Sequence, residues 1–92
     1  MKVRITRDAH DDVRGLREYI STHSSNRVGR RVANHVGAII NVLGTFPRAG
    51  HRGHIEGTLE MVVPRVPFVI VYRIATDEEI VILRVYHIAR DR

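Results

Sequence analysis

The 92-residue chain has no cysteine and no tryptophan, and only one of its fifteen basic residues is a lysine. Without cysteine, neither a disulfide framework nor a thiolate zinc site can form, and nothing asks for an oxidising compartment. No apolar run approaches the roughly 20 residues needed to span a bilayer, and Met1-Lys2-Val3-Arg4-Ile5 lacks the apolar stretch of a secretory signal. These absences lead to the expectation of a cytoplasmic protein that neither enters nor crosses a membrane. Phosphate-binding loops, dinucleotide fingerprints and serine elbows are missing as well, so no cofactor is expected. His51 and His54 stand three apart in a glycine-containing loop with no carboxylate motif to complete a coordination sphere, so no metal centre is expected either.

What is present is ordinary for a globular chain, with 43% hydrophobic and 27% charged residues. The length fits one domain, residues 1–92, around one core. The net charge is +5, and fourteen of the fifteen cations are arginine. Arginine's planar fork grips phosphate or carboxylate at two points, which suits an anionic partner. Net charge alone does not separate nucleic acid from an acidic protein.

Hydropathy patterning then divides the chain. Residues 2–6 alternate charged and apolar, the pattern of a short half-buried edge strand. Asp8 is a candidate cap for a helix from Ala9 to about His23, with Val13, Leu16, Tyr19 and Ile20 at helical spacing and Asp11 and Asp12 placed in its first turn. Gly15 weakens that helix. Ser24-Ser25-Asn26 supplies a turn and an N-cap, after which Val28, Val32, Val36, Ile39, Ile40, Leu43 and Phe46 form one stripe on a helix of about twenty residues that Pro47 ends. Two such helices with a short connection imply an antiparallel hairpin.

Beyond a basic loop, residues 48–54, the period changes from 3.6 to 2. Residues 58–63, 68–75 and 80–87 are rich in Val, Ile, Tyr and Phe and are bounded by turn signals, so they predict an antiparallel meander. Phe68, Ile70, Tyr72 and Ile74 share one face of the middle segment and Val69, Val71, Arg73 and Ala75 the other; both are largely apolar, which makes this strand central. The expected fold class is α+β, in the order β-α-α-β-β-β, with the hairpin on one face of a small, mainly antiparallel sheet and the other face left for a partner.

Candidate chemistry lies in the C-terminal half at Glu60, Arg73, Arg84, His87 and Arg90. Histidine is the residue type most often used for acid–base work, and His87 by alternation shares a face with Val81, Leu83 and Val85; it is either an acid–base group or a strand-end histidine bonded to backbone. Glu60 and Arg73, on neighbouring strands, are either functional or a plain cross-strand pair. Arg48, Arg52, Arg65, Arg84 and Arg90 are candidate contacts to a nucleic acid or a protein target.

The order Asp12-Val13-x-x-Leu16-x-x-Tyr19-Ile20, Leu43-x-x-Phe46-Pro47-x-x-Gly50-x-x-Gly53, Gly57-Thr58-Leu59-Glu60, Val62-Val63-Pro64, Phe68-Val69-Ile70-Val71-Tyr72-Arg73 and Ile82-Leu83-Arg84-Val85-x-His87 resembles the RelE/ParE toxin superfamily of type II toxin–antitoxin systems. The resemblance covers nearly the whole chain and implies the same fold, together with a cognate antitoxin whose flexible segment wraps the toxin. RelE-type members cut ribosome-bound messenger RNA, and their central strand carries an arginine where this chain has Val69; a valine cannot bind phosphate. The basic residues of the preceding strand are likewise replaced, by Glu60 and Val62. The ending Tyr86-His87-Ile88-Ala89-Arg90-Asp91 is similar to that of ParE-type members, which inhibit DNA gyrase by binding it. The resemblance therefore points to a ParE-like gyrase inhibitor. A ribosome-dependent endoribonuclease using Arg73 and His87, with Glu60 as base, is the alternative, and a degenerate member retained only as an antitoxin or nucleic-acid binder is a third reading.

Overall fold

In the computed structural model, which describes residues 1–89, the first strand β1 (Lys2–Ile5) runs directly into helix α1 (Arg7–His23). Thr6 makes the junction. Its hydroxyl accepts a hydrogen bond from Ala9 N at 3.1 Å, capping the helix, and donates to the Leu83 carbonyl at 3.0 Å, tying the helix start to the sheet. The cap is therefore Thr6 and not Asp8, and the helix begins two residues earlier than its apolar spacing suggests. Only Asp8 lies in the first turn, which leaves Asp11 and Asp12 further along the helix.

Ser25 caps α2 (Asn26–Thr45) by accepting from Val28 N at 3.1 Å, as its position after a serine-rich turn predicts. The α2 stripe buries Val36, Ile40 and Leu43, with Val32 and Ile39 packed at its margin. Phe46 does not belong to the stripe. It is the C-terminal cap residue, where the backbone has left helical angles, and its side chain is 62% exposed. The helices cross closely at Gly29, where a Cβ would collide with Ser21 Oγ and the Arg17 carbonyl.

The basic loop is not wholly irregular: His51 and Arg52 form a two-residue strand, β2 (His51–Arg52), paired antiparallel with β3 (Leu59–Val62). The long strands β4 (Phe68–Thr76) and β5 (Glu79–His87) follow, and the sheet order is β1-β5-β4-β3-β2. All pairings are antiparallel except β1 with β5, which is parallel. The central position of β4 agrees with its two apolar faces. The expected α+β class holds, with one small strand added.

The core lies between the hairpin and one side of the sheet. Leu16, Val36, Ile40 and Leu43 pack on Phe68, Ile70, Tyr72, Ile80, Ile82 and Val85. The other side carries Val69, Val71 and Val81, which are buried but take no part in that core. No helix of the described residues is long and apolar enough to cross a membrane.

One irregularity re-aims the end of β5. Val71 pairs with Arg84 but Tyr72 with Ile82, so Leu83 is an extra residue. Strict alternation would put His87 on the face of Val81. The bulge instead brings Val85 and His87 to the helix side, away from Val81, and His87 faces Phe68 across the sheet.

Candidate functional site

Two surfaces are built from the residues singled out above. The first is a groove of about 840 Å³ between α1 and the far ends of β4 and β5. Its wall is α1 (Leu16, Tyr19, Ile20) with Val32 of α2, and its floor is Phe68, Val85 and the turn residues Val66 and Pro67. The groove exists because β1 covers β5 only from Glu79 to Ile82. Past Ile82 the β5 edge has no strand neighbour among the described residues, and α1 leans over it.

Asp12 manages that open edge. Its Oδ2 accepts from Val85 N at 2.9 Å and from Arg84 Nε at 2.8 Å, and its Oδ1 accepts from Arg84 Nη2 at 3.0 Å. A single carboxylate thus satisfies a strand-edge amide and binds a guanidinium at two points. The hydrogen bonds that Arg84 donates to Asp12 hold its guanidinium well above its ordinary pKa, so it remains a fixed cation beside that carboxylate. Arg84 also lies over the Tyr86 ring, 5.3 Å from its centre.

His87 sits at the groove's end, its ring edge-on to Phe68 with centroids 5.5 Å apart. Its Nδ1 accepts from Ala89 N at 3.1 Å, so the ring is tied to backbone at the strand end. On the wall, Tyr19 is 65% exposed and stacks on His23 at 4.0 Å between centroids. An exposed tyrosine beside an apolar floor is the sort of side chain that anchors a protein partner.

The second surface is the side of the sheet without helices. Val69, Val71 and Val81 form its middle, with Glu60, Val62 and Arg73 around them. Glu60 is only 2% exposed. Its Oε2 accepts from His54 N at 3.2 Å and lies 3.3 Å from His54 Nδ1, while Oε1 lies 3.9 Å from His51 Nε2. The buried carboxylate thereby pins the basic loop to the sheet edge. Tyr72 pins the loop's other end: its hydroxyl donates to the Pro47 carbonyl at 2.7 Å and accepts from Gly50 N at 3.0 Å. Burial raises the Tyr72 pKa, opposed in part by the Gly50 amide and by Arg48. Only glycine fits at position 50, where a Cβ would fall 2.7 Å from the Glu60 carbonyl and 2.8 Å from the Tyr72 hydroxyl.

Residues 3–92 match the ParE toxins of type II toxin–antitoxin systems (parDE). The chain belongs to the ParE toxin family. A candidate toxin of Sinorhizobium fredii, Y4kP, is 36% identical over 62 residues, 67% of this chain. The chain spans 64% of the length of that curated relative. Among solved structures, the chromosomal ParDE system of P. aeruginosa superposes with a TM-score of 0.87 at 20% identity, over 96% of both chains. The toxin–antitoxin complex RelBE2 of Mycobacterium tuberculosis gives a TM-score of 0.68 at 27% identity, over 94% of this chain and 95% of that one. The fold is thus shared across the ParE and RelE branches, as the order of motifs implies.

Set on this ParE-family frame, the candidate residues do not converge. The register puts Glu60 opposite Val71 and Arg73 opposite Val81, so these two are diagonal neighbours on the helix-free side and not a facing cross-strand pair. His87 is opposite Phe68, on the helix side and five residues from Arg73 along β4, which is about 17 Å at the rise of a strand. Arg48 and Arg52 are exposed on the loop held by Tyr72 and Glu60. Arg65 is exposed in the β3–β4 turn with φ 73°, a left-handed conformation in which an arginine is held only by its surroundings. Arg84 is committed to Asp12. Arg90 lies outside the described residues. Among the described residues, no group of three His, Asp or Glu side chains is arranged to hold a metal ion. Asp12 and Tyr72 are the positioning residues that sequence reading missed. The motif spacing carried both, but only their partners, far away in sequence, reveal what they do.

Proposed function

We propose that this chain is the toxin of a type II toxin–antitoxin pair, that a segment of its antitoxin occupies the groove between α1 and β5, and that it inhibits growth by binding DNA gyrase rather than by cutting RNA. One fact supports the binding mode above the rest: Arg73 and Glu60 lie on one side of the sheet and His87 on the other, at its far end. General acid–base catalysis needs its groups within about 3 Å of a shared substrate. Groups about 17 Å apart along a strand, with the sheet between them, cannot act on one phosphodiester. Val69, in the place of the RelE-type arginine, is fully buried, between Val62 on one neighbouring strand and Tyr86 on the other.

The groove supports the antitoxin assignment. Its apolar floor, its exposed tyrosine and a volume within the usual range of binding clefts suit a folded-on-binding segment with apolar anchors. The two solved structures of like fold are of a ParDE toxin–antitoxin system and of a RelBE2 toxin–antitoxin complex. The ribonuclease reading keeps one support, since Glu60 and Arg73 are diagonal neighbours on the helix-free side of the sheet. Inducing the chain with and without the adjacent antitoxin frame separates the two. Growth arrest that the antitoxin relieves, that His87→Ala retains and that is accompanied by relaxed plasmid is expected; arrest abolished by His87→Ala or Arg73→Ala, with codon-positioned mRNA ends, would overturn the gyrase assignment.

A further inference from the structure

Charge is unevenly spread along this chain. Between residues 13 and 55 stand seven arginines and a single acid, Glu18, so that stretch carries +6 in a protein whose total is +5. The structure gathers five of the seven on the helical hairpin: Arg14 and Arg17 on α1, and Arg27, Arg30 and Arg31 at three- and four-residue steps on α2. All five are exposed. Arg14 is neutralised by Asp11 at 2.9 Å, but among the described residues Arg17, Arg27, Arg30 and Arg31 take part in no ion pair.

Packing then turns this charge into a site. Because Gly29 lets the helices approach closely at Arg17 and Ser21, the two chains of side chains flank a cleft of about 410 Å³ lined by Arg17, Glu18, Ser21, Thr22, Asn26 and Arg30. The cleft opens beside the start of α2, whose first turn contains no acid to offset its positive end. Guanidinium, hydroxyl, amide and a helix start are the donors that hold phosphate oxygens.

We propose that this hairpin cleft binds the phosphate backbone of duplex DNA. An acidic peptide fits less well, because protein partners anchor through apolar and aromatic side chains and the cleft presents none. The groove on the other side of α1 has the opposite character, an apolar floor with Asp11 and Asp12 at its rim. The two sides of one helix thus take two partners, and the DNA contact leaves the groove free.

The test needs no gyrase, so it is independent of the target assigned above. Binding of the full chain to a fluorescein-labelled duplex of mixed sequence is followed by anisotropy over a salt series. Replacing Arg17, Arg27 and Arg30 together (Arg17→Ala, Arg27→Ala, Arg30→Ala) lowers the slope of log K against log salt by about 2–3, since each phosphate contact contributes about 0.9, and weakens binding at least about tenfold near 0.1 M salt. Arg30→Glu alone weakens it at least about threefold. Removing the same charge elsewhere, by Lys2→Ala, Arg4→Ala and Arg7→Ala, changes binding less than about threefold. Circular dichroism verifies that each variant is folded. Equal losses from the two triple variants, no duplex binding at low salt, or a poly-glutamate peptide that binds more tightly than the duplex would each overturn the proposal.

Discussion

Asp12→Ala removes an acceptor from three donors at once, and its cost can be worked out donor by donor. The pair with Arg84 is bidentate, but the Arg84 side chain is 42% exposed, so water replaces part of what is lost. That component is worth about 1 kcal/mol after screening. The Val85 amide is different. It lies beyond the reach of β1, beside a carboxylate only 17% exposed, and losing its acceptor costs about 1–2 kcal/mol. Together these give about 2–3 kcal/mol, or a melting temperature lower by roughly 10–20 °C for a domain of this size. Arg84→Met leaves the bond to Val85 in place and costs about 1 kcal/mol. Urea unfolding followed by circular dichroism, at low and at high salt, measures both. The Asp12→Ala loss persists in high salt because its backbone component is not screened. A loss below about 0.5 kcal/mol for Asp12→Ala, or equal losses for the two variants, would show that the aspartate does not hold the strand edge.

Tyr72→Phe strands the Gly50 amide and the Pro47 carbonyl and costs about 1–3 kcal/mol, with faster hydrogen exchange at Gly50 as its local signature; unchanged exchange would count against the hydroxyl as the anchor of the basic loop. The same residue sets an alkaline limit. Because burial raises its folded pKa, the stability it contributes is complete below the unfolded value near 10 and is lost as pH rises through the folded one, so wild-type stability falls above about pH 10 more steeply than that of Tyr72→Phe. Gly29→Ala drives a methyl into the Arg17 carbonyl, a backbone atom that cannot step aside, and destabilises by about 1–3 kcal/mol; a neutral result in thermal melts would mean that the helices separate freely there.

Much of the fold was written in local pattern. The α2 stripe, the Ser25 cap and the two-faced β4 all follow from spacing that a single element displays by itself, and all three stand in the structure. What local pattern could not carry was anything decided at long range. Thr6 and Asp8 are both good caps, and the choice between them is made by the bond from Thr6 to the Leu83 carbonyl, 77 residues away. Asp12 has the composition of a helix-dipole residue, yet its partners are Arg84 and Val85. Two residues of β2 have no period to detect.

His87 is the instructive case in the site. Period-2 reasoning assigned it to the face of Val81, and one inserted residue, Leu83, reversed that assignment. Since an alternation has no memory of an insertion, a bulge in a uniformly apolar strand is invisible until the neighbour's register is known. The same bulge is what puts His87 on the opposite side of the sheet from Arg73 and Glu60, a feature that composition does not encode. The motif order, by contrast, was enough to place the chain in its family.

The most direct measurement is a supercoiling reaction with purified gyrase, ATP and relaxed plasmid, to which the protein is added. A gyrase-binding toxin leaves the plasmid relaxed or traps it cleaved, and Arg73→Ala/His87→Ala inhibits as well as wild type. Full supercoiling in its presence, together with codon-positioned cleavage of ribosome-bound mRNA in the parallel translation reaction, would contradict the account.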